Sequence, residues 1–458
     1  MNTDLPHMSK VSVDFVAFLI PCLIFIEIKL VGRLFLPELI LLVMFIFLIK
    51  RHGWVLLVDR PAKTLIMLGL LWLFSQILTD VVRSTSFHDL ARGWANIGFF
   101  LISFCSIYML VLNSERRLML FALGIIAGQI LKYLIAPNVY VAEGYFWKFG
   151  IGYALTFLIV LSTQFCFINR VAFLPEVILV VMTFLNWTLG FRSLGAICFM
   201  VAIYLLVIRF IKSSAFMINR TDLHKRVFLI LLLVGGAATA VKLYSIAANS
   251  GIFGEQARQL YSSQSAATVP DVAATAPEVN FFKRWFGVLI GGRQELLVST
   301  LAIWDSPLIG HGSWAKDIGG HYHDLLSKML LKYGYNRVSP VAYDPVHIPT
   351  HSFLFGAWVY AGLAGAVFWC WVFVFCSKVL LLMYKTKNSL TPVVAFIGFN
   401  MLWNIPFSPF GAETRLYTAY YLVLLMFMHR HLLIKQADQL SAGIGTSIRV
   451  QETKQPFG

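Results

Sequence analysis

A histidine and a serine stand side by side at His351 and Ser352, after a proline-punctuated polar stretch and before an apolar run long enough to cross a bilayer. An imidazole at the water boundary is the side chain best suited to take a proton from a hydroxyl near neutral pH. Read as one helix from Pro349 to Gly365, the run puts Gly362 about 20° from the azimuth of His351 and Gly365 about 40° to the other side. That face would carry the imidazole at its mouth, Phe355 and Trp358 below it, and two glycines where a neighbouring helix approaches closely. Gly362 and Gly365 are accordingly expected to be structural supports of the site. The positive end of a helix dipole disfavours protonation, and a nearby arginine acts the same way. Both would keep His351 in the neutral form that a base needs; a surface histidine with no task is the plain alternative.

Two arginines join it where connections read as facing outward. Arg192 lies in Leu-Gly-Phe-Arg-Ser-Leu-Gly-Ala and Arg293 in Gly-Gly-Arg-Gln-Glu. Guanidinium groups are planar, permanently charged forks that fit diphosphate oxygens. Interfacial anchoring accounts for a lone arginine equally well. Arg415, after Glu413 in the last outer turn, is a further phosphate candidate, though a local ion pair also explains it. His311, His321, His323, Asp324 and His347 share one connection, but their spacing matches no zinc pattern, so no metal is expected. No phosphate-cradling glycine loop is present either, Gly310-His311-Gly312 being too short, so no nucleotide or other cofactor is expected.

The elements that must position these residues are membrane helices. The chain has 458 residues, 59% hydrophobic and 13% charged, where a soluble domain carries about a quarter charged. Six cysteines all fall in apolar runs without a Cys-x-x-Cys pair and read as small core residues. Apolar segments near 13–31, 34–49, 63–79, 94–112, 118–135, 150–168, 171–190, 194–211, 227–247, 352–377, 391–407 and 416–433 give about twelve spans. The net charge of +15 gathers in alternate connections, from Lys50 and Arg51 through Arg116, Arg117, Arg220 and Lys225 to Lys385 and Lys387. The positive-inside rule places those connections and both termini in the cytoplasm, so the charge is topological and nucleic-acid binding is not expected.

The chain thus divides into nine membrane helices over 1–248, a large outward loop over 249–350, three helices over 351–434 and a cytoplasmic tail over 435–458. The first third of the loop is small and polar. The remainder carries two short amphipathic helices, around Leu296–Trp304 and Leu325–Tyr333, expected to roof the spans below. The fold class is an all-α integral membrane protein with one large extracytoplasmic loop.

His351-Ser352, nine residues, Gly362, two residues and Gly365 resemble the histidine signature of bacterial O-antigen ligases. Gly292-Arg293, Trp304, Pro307-Leu308-Ile309-Gly310 and Gly312 resemble that family's outer-loop pattern. Phe191-Arg192-Ser193-Leu194-Gly195-Ala196 is similar to its earlier arginine element, with a bulky residue where the family more often has a small one. The resemblance to the O-antigen ligase and polysaccharide polymerase superfamily implies a multi-span fold like that of the GT-C-type glycosyltransferases, in the bacterial inner membrane with its active site facing the periplasm. It implies metal-independent, inverting transfer of a glycan from an undecaprenyl-diphosphate carrier to an acceptor hydroxyl, in the ligase case on lipid A-core. His351 would be the base, and Arg192 and Arg293 would hold the diphosphate. Membrane lipid is the remaining partner.

A polymerase of the same superfamily would use the same donor and the same residues, so the catalytic positions do not separate it from a ligase. A transporter or flippase would instead place ionisable residues near span centres and break helices at matching points of two halves. Glu27 and Glu176 lie toward span ends, and no repeat is evident.

Overall fold

The computed structural model describes residues 10–30, 32–111, 114–137, 145–168, 173–213, 294–332, 347–384 and 388–452, with isolated positions between 224 and 250. Within them the chain is helical apart from one hairpin and the connections. Helix α1 (Lys10–Cys22) leads into a hairpin of β1 (Glu27–Lys29) and β2 (Arg33–Phe35), paired Glu27↔Phe35, Ile28↔Leu34 and Lys29↔Arg33. Then follow α2 (Leu36–His52), α3 (Trp54–Val58), α4 (Arg60–Val82), α5 (Phe87–Val111), α6 (Glu115–Ile135), α7 (Gly152–Ile168), α8 (Leu174–Thr188) and α9 (Arg192–Ser213). The outer connection contributes α10 (Gln294–Asp305) and α11 (His321–Lys332). The chain closes with α12 (Phe353–Ala361), α13 (Leu363–Met383), α14 (Thr391–Phe407) and α15 (Ala412–Glu452).

Local chemistry sets these boundaries. Helices α2, α4, α8 and α14 open on a proline in their first turn, where its missing N–H costs nothing and its fixed φ already suits a helix. Ser114 and Ser352 cap α6 and α12, each side-chain oxygen accepting from the N–H three residues on. Among the described residues, five helices are long and apolar enough to cross a membrane: α4, α5, α6, α9 as far as Phe210, and α13. Shorter apolar helices cover Val13–Phe25, Leu174–Thr188 and Thr391–Phe407. The protein is thus an all-α membrane protein by the length and composition of its helices. The segment 227–247 apart from those isolated positions, most of the outer loop before Gln294, Gly292, Arg293 and Gly334 lie outside the described residues.

Three elements differ from what hydropathy predicts. The first apolar run does not stay helical to residue 31: α1 ends at Cys22, and Glu27 to Phe35 form the hairpin. Its charges tie that hairpin to the bundle, Arg33 meeting Glu27 at 2.8 Å and Glu413 at 2.8 Å while Lys132 meets Glu413 at 3.1 Å. The last helix runs on without a break to Glu452.

The other difference concerns the expected single helix after His351. It is two helices, broken at Gly362, where φ is +68° and ψ −155°. Phe353 rests on Trp369 (ring centroids 4.8 Å), and a side chain at Gly365 would meet the Ala357 carbonyl at 2.4 Å. Contacts that pair 353 with 369 and 357 with 365 mean that α12 folds back along the first turns of α13 as a helical hairpin. His351 and Gly362 therefore lie at opposite ends of α12, roughly 13 Å apart along its axis, and do not share a face.

Beneath this hairpin lies an aromatic core. Trp72 of α4, Phe100 of α5, Phe353, Phe368, Trp369 and Phe410 interlock with centroid spacings such as 5.1 Å for Trp72–Phe368 and 5.4 Å for Phe100–Phe410. Edge and tilted geometries dominate, as the ring quadrupoles prefer. All six are buried or packed against the buried core, so α12 has a rigid floor two residues from His351.

Candidate functional site

The run from His347 to Ser352 is held residue by residue. His347 bridges Lys316, and the Ile348 N–H donates to the Ala315 carbonyl at 2.9 Å. The Pro349 carbonyl accepts from Ser299 Oγ at 2.9 Å, and Thr350 Oγ1 shares a hydrogen bond with the Tyr360 hydroxyl at 3.0 Å. Ser352, 2% exposed, donates to the Ile405 carbonyl at 2.8 Å while accepting from the Phe355 N–H at 3.0 Å. His351 is half-buried in the middle of this run, immediately before the positive end of α12. Its backbone has little freedom left, which is what a base needs if its ring is to meet one incoming hydroxyl.

The far end of α12 is clamped by residues 306–313. Its last carbonyls would otherwise be orphaned. Val359 O accepts from the His311 N–H (2.7 Å) and Tyr360 O from the Gly312 N–H (3.1 Å), and Ala361 O accepts from Ser75 Oγ (2.8 Å). Trp358 Nε1 donates to Pro307 O at 2.8 Å, and Leu363 N–H to Leu308 O at 3.2 Å. His311 Nε2 lies 2.7 Å from Ala302 O; a carbonyl only accepts, so that nitrogen carries the proton. A Cβ at Gly362 would stand 2.1 Å from Leu308 O, and one at Gly310 would stand 2.6 Å from the Gly362 nitrogen. The glycines of the signature are thus required by loop-on-helix and helix-on-helix approach within one corner.

The same loop is locked to α4 and α5 by groups that sequence reading passed over. Asp80, 1% exposed, accepts from the Ser313 N–H (2.6 Å), Ser313 Oγ (2.7 Å) and Trp94 Nε1 (2.8 Å). Arg83 donates to Gly310 O at 3.0 Å and Ser306 Oγ at 2.8 Å, and Thr79 Oγ1 to Ile309 O at 2.5 Å. Gly93 lets Ser313 come close, since a Cβ there would be 1.9 Å from Ser313 Oγ. Next to Gly93, the Arg92 guanidinium stacks 3.9 Å over the Trp314 ring, which itself packs on His347, four residues before His351, at 6.0 Å. Among the described residues Arg92 makes no ion pair. An aspartate and two arginines within one helix end and the next helix start, in Thr79-Asp80-Val81-Val82-Arg83 and Arg92, are the signal that was available: charge at the edge of an apolar span needs a partner or a task.

Arg192 opens α9 at the same end of the bundle. Phe191 N–H donates to Asn186 O, and Asn186 holds Trp147 Nε1 (2.9 Å) and Thr156 Oγ1 (3.3 Å) at the start of α7. Tyr153, just inside that start, rests on Phe396 and hydrogen-bonds Tyr421, each about three turns inward of the 408–411 turn. That turn adjoins Ile405, which anchors Ser352. Arg415 is also here, but it is 3% exposed and grips Glu38 with both arms (2.7 and 2.8 Å), while reaching Arg33 O at 3.0 Å and Asn96 Oδ1 at 3.4 Å. Arg293 lies outside the described residues. No group of three or more His, Cys, Asp or Glu side chains placed to hold a metal occurs among the described residues.

Chemically, the arrangement offers a half-buried imidazole on a pinned stretch of backbone, a helix N-terminus and two guanidinium groups at one end of the bundle over an apolar floor. Comparison with protein-family models, with curated proteins and with solved structures finds no match to this chain.

Proposed function

We propose that this protein is a glycosyltransferase of the bacterial inner membrane that moves a glycan from an undecaprenyl-diphosphate carrier to an acceptor hydroxyl at the periplasmic face, as an O-antigen ligase acting on lipid A-core. The observation that carries the reading is the pinning of His351: its neighbours on both sides are tied to four separate elements, at the cationic mouth of α12. In this reading about twelve helices span the membrane and both termini are cytoplasmic. The acceptor oxygen attacks the anomeric carbon of the donor sugar, its proton passes to His351, and the carbon–oxygen bond to the diphosphate breaks with inversion. Negative charge then grows on the departing diphosphate, where Arg192 and Arg92, with Arg293, stabilise it in poorly hydrated surroundings. Arg415, balanced by Glu38, fixes the 412–415 turn against α2 and α5.

A polymerase would use the same geometry with another lipid-linked glycan as acceptor. The length distribution of carrier-linked glycan in cells lacking this protein distinguishes the two. Long chains accumulating on the carrier, with none on the final acceptor, are expected. Single repeat units with no long chains anywhere would mean polymerisation, and an unchanged distribution would remove the glycosyl-transfer reading in favour of transport.

A further inference from the structure

At the opposite end of the bundle, α4, α13 and α15 enclose a second depression of about 610 Å³. Its walls are Trp371, Val374, Phe375 and Leu433, and its rim carries Arg60, Lys378 and Arg430 against the single carboxylate of Asp59. Asp59 already accepts from the Tyr108 hydroxyl. His429 lines the same space: it is 5% exposed, packs on Phe375 at 5.5 Å, and its Nε2 has no hydrogen-bond partner among the described residues. An unpartnered imidazole nitrogen so deeply buried is costly unless something meets it. Through Val374 and Lys378 the depression continues into a trough of about 380 Å³ floored by Phe373, Leu381 and Leu382, on the outside of α13. A cationic head with a polar donor or acceptor inside it, joined to an apolar trough, has the shape and polarity of one amphiphile.

We infer that this is a binding site for an anionic phospholipid of the leaflet opposite the candidate active site. Its phosphate would sit between Arg60 and Lys378, over the edge of the His429 ring, and an acyl chain would lie in the Val374 trough. Basic residues at this end satisfy the positive-inside rule wherever they stand; the rule does not explain why three line the same depression as a buried imidazole at the head of an apolar groove. Surface attraction alone is worth about fivefold in affinity per cation.

The test uses purified, delipidated full-length protein in detergent, titrated with phosphatidylglycerol or phosphatidylcholine, with retained lipid counted by native mass spectrometry. Phosphatidylglycerol should be held in preference, and the variant Arg60→Gln/Lys378→Gln should lose that preference by about fivefold for each cation removed. Val374→Trp, which plugs the trough and spares the cations, should lower retention of phosphatidylglycerol as well. Wild-type preference in the double variant would overturn the site. So would an equal loss in Lys50→Gln/Arg51→Gln, at exposed cations elsewhere, since that would mean diffuse attraction only. Displacement of the lipid by inorganic phosphate at equal concentration would reduce it to a bare anion site.

Discussion

The central residue is His351, and what distinguishes it is the rigidity of its neighbours. A ring carried on backbone held this way contributes through position, so His351→Ala should lower turnover by about 10²- to 10⁴-fold while the thermal midpoint of the detergent-purified protein stays near the wild-type value. Comparable loss of both would make it a packing residue instead. Arg415 is the opposite case. Its guanidinium and the Glu38 carboxylate are buried together, so Arg415→Met leaves an uncompensated charge and should destabilise by about 3 kcal/mol. Adding Glu38→Gln should restore part of that loss in a double-mutant cycle of melting curves; simple additivity of the two would mean that they do not act as a pair. The place of His351 just before a helix start was legible in the sequence, because a polar His-Ser at the edge of an apolar run is visible without any contact. The bidentate pair was not, since Glu38 and Arg415 are 377 residues apart, and Arg415 is thus better explained as a structural ion than as a bare phosphate ligand.

Among the elements, the α12–α13 hairpin carries the argument. Hydropathy runs smoothly across Gly362, so nothing local announces a break; the break is set by residues 306–312 docking from fifty positions upstream. Glycine is required there on two counts, a positive φ and the Leu308 carbonyl. Gly362→Ala should therefore cost both folding yield and activity, whereas Gly98→Ala, with nothing within 4 Å of the new methyl group in the middle of α5, should be neutral or stabilising by up to about 1 kcal/mol. Equal yields and melting temperatures for the two variants would mean the corner tolerates a side chain. The helices at 294–305 and 321–332 fall where apolar periodicity put them, because their pattern is local. Asp80 and Arg83 were not singled out because the apolar segment read from the sequence stops at residue 79, which turns a buried carboxylate and a guanidinium bonded to the 306–310 loop into apparent loop charges.

For the whole molecule, charge does two separable jobs. In the proposed topology the basic connections orient the chain, and a smaller mixed cluster ties the β1–β2 hairpin to α6 and α15. Within that cluster burial alone would raise the Glu413 carboxyl, but Lys132 and Arg33 together hold it below the usual carboxylate range. The hydrogen bond from Arg33 likewise lowers Glu27. A carboxylate lowered in the folded state contributes stability above the ordinary carboxylate range, and that contribution is lost as pH falls through the depressed value. Melting midpoints of wild type and Glu413→Gln should differ at pH 7 and converge toward acid pH; a gap that widens on acidification would contradict the assignment. The difference should also shrink in high salt, as both partners are part-exposed. The membrane class was legible from composition alone, because the lipid solvent constrains every span; the assembly of the site was not, because it depends on which helix ends meet.

The most direct measurement is transfer by the purified protein, reconstituted in vesicles with a labelled undecaprenyl-diphosphate glycan and lipid A-core as the acceptor. The account predicts labelled conjugate from the wild type and from Arg92→Gln at a reduced rate, and none from His351→Ala reconstituted to the same level. Conjugate formed equally by His351→Ala, or no conjugate from the wild type while carrier-linked glycan crosses the bilayer, would contradict it.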